Sequence, residues 1–107
     1  MSNLPAHFDP VRWRSYSLFE QMGNIGSEVG RTFSALRRGD TTAAQTAFWR
    51  GLDLIDATAE ILVAQKSPRL KELLRARESF AENYYAGHDN GLEQYFMHYA
   101  IAARYHC

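Results

Sequence analysis

Long apolar runs, excess charge of either sign, and paired cysteines are all missing from this chain. Each absence removes a class of protein. No stretch approaches the roughly 18 apolar residues that a membrane-spanning helix needs. Twelve Lys and Arg balance twelve Asp and Glu over 107 residues, so the chain as a whole exerts no pull on nucleic acid or on an anionic membrane. The single cysteine, Cys107, cannot form an intramolecular disulfide, and a reducing compartment is expected. Met1 to Asp9 carries neither a basic n-region nor an apolar h-region, so no secretory signal is expected and the cytosol is the default location. Proline is confined to Pro5, Pro10 and Pro68, at or before the start of a helical pattern.

Catalytic signatures are equally scarce. There is no Gly-x-Ser-x-Gly elbow, no Gly-rich phosphate loop with its lysine, and no Cys–His pairing. Glu28, Asp53, Asp56 and Glu60 lack the Glu-x-x-His partners of di-iron bundles. His98, His106 and Cys107 match no closed four-ligand set. His7 and His88 fall in expected loops. No cofactor and no metal are expected.

What remains is helical periodicity. Leu18, Met22, Ile25, Val29, Phe33 and Leu36 recur at 4-3-4-4-3 spacing. Asp9-Pro10 is a helix start, and Gly39-Asp40 closes the segment. The first helix runs from Pro10 to Arg38, or a short first piece breaks off near Ser15. A second helix is expected from Asp40 to about Ala64. A third, opened by Ser67-Pro68, ends before Gly87, and a fourth runs from Asn90-Gly91 toward Tyr105. Short loops between them favour antiparallel neighbours. The expectation is one all-α domain over residues 1–107, an antiparallel up-and-down four-helix bundle, with residues 1–9 a flexible N-terminus.

Three features ask for more than a bland amphipathic helix. Gly23, Gly26 and Gly30 share one face of the first helix, and each costs about 1 kcal/mol there relative to alanine. A close helix neighbour is the simplest compensation. Arg77 sits within the apolar stripe Leu70, Leu73, Phe80 and Tyr84, so it must meet a carboxylate or snorkel to solvent. Glu28, Asp53 and Asp56 are the candidate partners in a buried polar network, and a ligand-binding arginine is the functional alternative. The last helix, Leu92 to Tyr105, is apolar nearly all round, which predicts burial on two sides and homo-oligomerisation through it. Lys66, Arg69, Lys71 and Arg75, with Arg37 and Arg38, either meet the acidic face of the second helix or form a basic rim for nucleic-acid phosphates.

The segment Asn24-Ile25-Gly26-Ser27-Glu28-Val29-Gly30-Arg31, followed by Arg50-Gly51-Leu52-Asp53-Leu54-Ile55-Asp56, resembles the four-helix proteins encoded in ribosomal-RNA intervening sequences. Related to those proteins is the accessory variability determinant (Avd) of diversity-generating retroelements, which the segment resembles in the same way. That resemblance implies an oligomerising bundle that partners a reverse transcriptase and RNA, with Arg37, Arg38, Lys66, Arg69, Lys71 and Arg75 as contacts. Those accessory proteins are basic, whereas this chain is neutral. A second resemblance is to HEPN domains, whose ribonuclease signature is an Arg followed after a short spacer by a His. Arg104-Tyr105-His106 is shorter than that spacer. Three functions therefore stand side by side: a non-enzymatic assembly protein accessory to a nucleic-acid enzyme, a HEPN-like ribonuclease, and a small-ligand or metal-binding bundle around Glu28, Asp53 and Arg77.

Overall fold

The computed structural model describes residues 9–105, except the side chains of Ala100 and of residues 102–105. The flexible segment expected over residues 1–9 thus lies, but for Asp9, outside the described residues, as do His106 and Cys107. The described chain is all-helical: α1 Pro10–Ser15, α2 Leu18–Arg37, α3 Thr41–Ala64, α4 Leu70–Ala86 and α5 Leu92–Tyr105.

Five helices replace the expected four because the first one breaks. Asp9 caps α1, its carboxylate accepting from the amides of Val11 and Arg12 at 3.0 and 3.4 Å. Ser17 and Glu20 then form a reciprocal capping box: the Glu20 amide donates to Ser17 Oγ at 3.1 Å, and the Ser17 amide to Glu20 Oε1 at 2.9 Å. A serine and a glutamate at that spacing stabilise a helix start more than helix continuation through Tyr16, which is extended. The short α1 is strapped down by side chains. Trp13 donates its indole N–H to the buried Thr58 hydroxyl of α3 at 3.1 Å, and Gln21 of α2 donates to the carbonyls of Trp13 and Tyr16.

The remaining boundaries follow local chemistry. Gly39, at a φ of 75°, lets the Asp40 amide reach back to the Ala35 carbonyl at 2.9 Å, and Asp40 in turn caps α3. Lys66 takes the same left-handed position after α3, at a φ of 52°. Ser67 Oγ accepts from the Arg69 amide, so Ser67-Pro68 forms a lead-in turn and regular helix begins at Leu70. Asp89 receives the amides of Leu92 and Glu93 and starts α5.

α4 runs back along α3, and α5 back along α4. Phe48 meets Tyr84 and Asp56 meets Arg77 between α3 and α4, while Glu72 meets Tyr99 and Asn83 meets Asp89 between α4 and α5. α2 packs most extensively, against α3 on one side and α5 on the other. The core consists of Ile25, Val29 and Phe33 from α2, Phe48 and Ile55 from α3, Leu73 and Phe80 from α4, and Phe96 from α5. Its centre is aromatic: the Phe80 ring lies edge-on to Phe33 and Phe48 at centroid distances of 6.0 and 5.0 Å.

The glycine face of α2 divides. A Cβ on Gly26 would lie 2.6 Å from Phe96 Cβ, so this glycine is what lets α5 approach. A Cβ on Gly30 would meet nothing within 4 Å, so packing does not account for that glycine.

Candidate functional site

Two grooves and one helix face hold the polar and apolar groups that the core leaves over. The first groove lies between α4 and α5, with a volume of about 480 Å³, and its lining includes Lys71, Glu72, Arg75, Ser79 and Tyr95 over an apolar floor. Tyr95 and Tyr99, one turn apart on α5, both donate their hydroxyls to Glu72 Oε1 across the groove. These hydrogen bonds, Tyr95's first, hold the Glu72 carboxyl below the usual carboxylate range, and the charge of Arg69 adds to the effect. Burial and then the bond to Glu72 push both tyrosine hydroxyls above their ordinary value. Every shift runs away from neutrality: the carboxylate becomes a weaker base and the phenols weaker acids. A general acid or base needs the opposite. The cluster is a hydrogen-bonded clasp between two helices.

Sequence reasoning missed this clasp. Tyr95 and Tyr99 read as part of an apolar helix and Glu72 as a lone acid in a basic run. The available signal was their i,i+4 spacing, which puts two hydroxyls in one line.

The expected network does not form as one unit: Arg77 and Asp56 pair with each other, and Glu28 pairs with Arg31. Arg77 engages Asp56 with two bonds, Nε to Oδ1 at 2.8 Å and Nη2 to Oδ2 at 3.3 Å. Its pKa rises through that hydrogen bond first, with smaller help from the charges of Asp56 and Asp53. Both side chains remain open to solvent, 39% for Arg77 and 52% for Asp56, so the pair lies on the surface. Glu28 is buried and belongs elsewhere: its Oε1 accepts from Arg31 at 2.6 Å. No hydrogen bond joins Glu28 to Arg77. Along the seam with α3 the Arg77 side chain reaches solvent, while Leu73 and Phe80 on either side of it in the stripe are buried.

The expected basic rim is divided between two regions. Arg37 and Arg38 close α2, where Arg37 lies 3.6 Å from Glu93 of α5 and Arg38 donates to Ser34. Lys66 and Arg69 follow the far end of α3, a helix about 36 Å long at 1.5 Å per residue. Lys71 and Arg75 continue from there along the α4–α5 groove. All four of Lys66, Arg69, Lys71 and Arg75 are exposed.

The second groove, between α2 and α3, has a volume of about 510 Å³ and gathers Arg31, Arg38 and Arg50 around a floor of small residues. On α5, Leu92 and Phe96 are buried, Tyr95 and Tyr99 are half-buried, and Met97 and Ile101 face outward. Among the described residues, no group of three or more His, Cys, Asp or Glu side chains is arranged to hold a metal ion. No helix among them is long and apolar enough to cross a membrane. Comparison with protein-family models, with curated proteins and with solved structures finds no match to this chain.

Proposed function

We propose that the chain is a non-enzymatic binding and assembly module that self-associates through the outward side of α5. In this reading α2 to α5 form an up-and-down four-helix bundle, α1 is its N-terminal strap, and the module works in the cytosol. The observation that carries it is the pair Met97 and Ile101. They lie one turn apart on a helix whose other sides already meet α2 and α4, and they are 58% and 43% exposed. Each is already about half covered, so burying the rest against a second copy contributes roughly 0.7–1.5 kcal/mol per side chain.

Peroxide footprinting tests this directly, because Met22 is 3% exposed and supplies an internal standard in the same chain. The expected result is that Met97 oxidises slowly at high protein concentration and speeds up on dilution, while Met22 stays protected throughout. Oxidation of Met97 at the rate of a free methionine at every concentration, with Met22 protected, contradicts the proposal.

The same module is proposed to serve as an accessory to a nucleic-acid enzyme such as a reverse transcriptase. Support comes from Lys66, Arg69, Lys71 and Arg75: they are exposed and make no ion pair within 4 Å among the described residues. Four such phosphate contacts to single-stranded RNA give a salt slope of about −3 in log K against log salt. Retention of RNA at low salt, lost when Lys71→Glu and Arg75→Glu are combined, is expected. Retention indifferent to that reversal contradicts it.

A further inference from the structure

We propose that the groove between α2 and α3 is a site for an oligophosphate anion, held by Arg31, Arg38 and Arg50. This site is separate from the α5 face and from the α4 basic run, and the proposal does not depend on either.

The charge balance of the groove is one-sided. Three arginines line it and no carboxylate does. Arg31 is paired with Glu28, which is not among the lining residues, at 2.6 Å. Among the described residues, the Arg38 guanidinium donates only to the Ser34 hydroxyl, at 2.9 Å. Arg50 makes no ion pair within 4 Å among the described residues. With Arg31 already paired to Glu28, the groove keeps an excess of two guanidinium charges, which a bound anion would neutralise.

The shape of the groove narrows the ligand class. Its volume of about 510 Å³ exceeds what one inorganic phosphate fills and lies within the range of small-molecule sites, about 300–1,000 Å³. Arg31 and Arg38 are two helical turns apart, about 10.5 Å along α2, with Arg50 facing them from α3. A chain of linked phosphates offers oxygens to all three guanidinium groups at once, more than a single phosphate presents. Among the described residues, no aromatic side chain lines the groove, so none of them stacks on a nucleobase there. The recognised element is therefore the phosphate chain, whether free or part of a nucleic-acid backbone.

Gly30 supplies an independent reason. A glycine inside a helix costs about 1 kcal/mol relative to alanine, and here no neighbour requires it. Its effect is to keep the floor low between Arg31 and Arg50, so that an anion can approach the helix closely.

Isothermal titration calorimetry with sodium tripolyphosphate tests the site, with orthophosphate and a 20-nucleotide RNA as comparison probes. Tripolyphosphate is expected to bind at least tenfold more tightly than orthophosphate. Arg50→Gln should weaken it at least fivefold, and Gly30→Leu should abolish it by filling the groove. Both positions are open to solvent or to empty space, so circular dichroism and melting temperature should show that both variants are folded. RNA binding that is weakened by Arg50→Gln would place the phosphates on a nucleic-acid backbone. Tripolyphosphate binding without RNA binding would assign a free oligophosphate. Absence of tripolyphosphate and RNA binding, or binding by folded Arg50→Gln and Gly30→Leu that equals wild type, overturns the proposal.

Discussion

Replacing Gly26 with alanine should destabilise the fold, and replacing Gly30 with alanine should stabilise it, although the two residues are one turn apart on the same helix. The added Cβ at Gly26 would sit 2.6 Å from Phe96 Cβ and 3.6 Å from the Phe96 backbone carbon. Carbon atoms are comfortable at about 3.5–4.0 Å, so the shortfall is roughly 1 Å. Neither Cβ can rotate away, because each is fixed by its own backbone, so α5 as a whole would have to retreat from α2. Overpacking of this kind costs about 1–3 kcal/mol. Both substitutions gain the same helix propensity, about 1 kcal/mol. That gain cancels in the difference between them, which isolates the clash at about 1–3 kcal/mol. Urea denaturation followed by far-UV circular dichroism, at one protein concentration, measures it. For a domain of about this size each kcal/mol moves the thermal midpoint by roughly 4–8 °C. A Gly26→Ala variant as stable as Gly30→Ala would refute the close approach of α5 to α2.

Thr58→Val leaves the Trp13 indole N–H without its buried acceptor and should cost about 1–3 kcal/mol, detectable as a lower urea midpoint. An unchanged midpoint would mean that α1 is not strapped through that bond. Arg77→Gln should cost less than about 1 kcal/mol, because the pair with Asp56 is open to solvent; a loss above about 3 kcal/mol in the same denaturation would show a buried charge instead. The Glu72–Tyr95–Tyr99 clasp should give stability a pH signature at both ends. Tyr95 and Tyr99 have raised pKa values when folded, so their contribution is complete below the ordinary tyrosine value of about 10 and is lost as pH rises beyond it. Glu72 is lowered when folded, so its contribution is present above the ordinary value of about 4.3 and fades as the carboxyl protonates on acidification. Denaturation of Tyr95→Phe across pH 8 to 12 should show a shallower alkaline loss than wild type, and an identical slope would contradict the clasp.

Helix number and boundaries were legible to different degrees, for identifiable reasons. The long amphipathic segments and their glycine or Asp caps are local signals, and α3 ends at Ala64 as its pattern implies. The break at Tyr16 is local too, since Ser17 and Glu20 are a capping box, and it matches the alternative of a short first piece ending near Ser15. The partner of Arg77 required knowing which face of α3 turns toward α4, and the choice between Asp53 and Asp56 is a matter of one turn. Gly26 and Gly30 are equivalent in sequence and differ only in whether Phe96 lies opposite. The arginine groove was not legible at all. Arg31, Arg38 and Arg50 come from two helices and are brought together by the α2–α3 packing alone.

Self-association through α5 is tested most directly by light scattering on a size-exclusion column, comparing wild type with a Met97→Lys, Ile101→Lys double variant. The account predicts a discrete oligomer for wild type and a folded monomer for the variant. A wild-type monomer, or an oligomer that the double variant leaves intact, would contradict it.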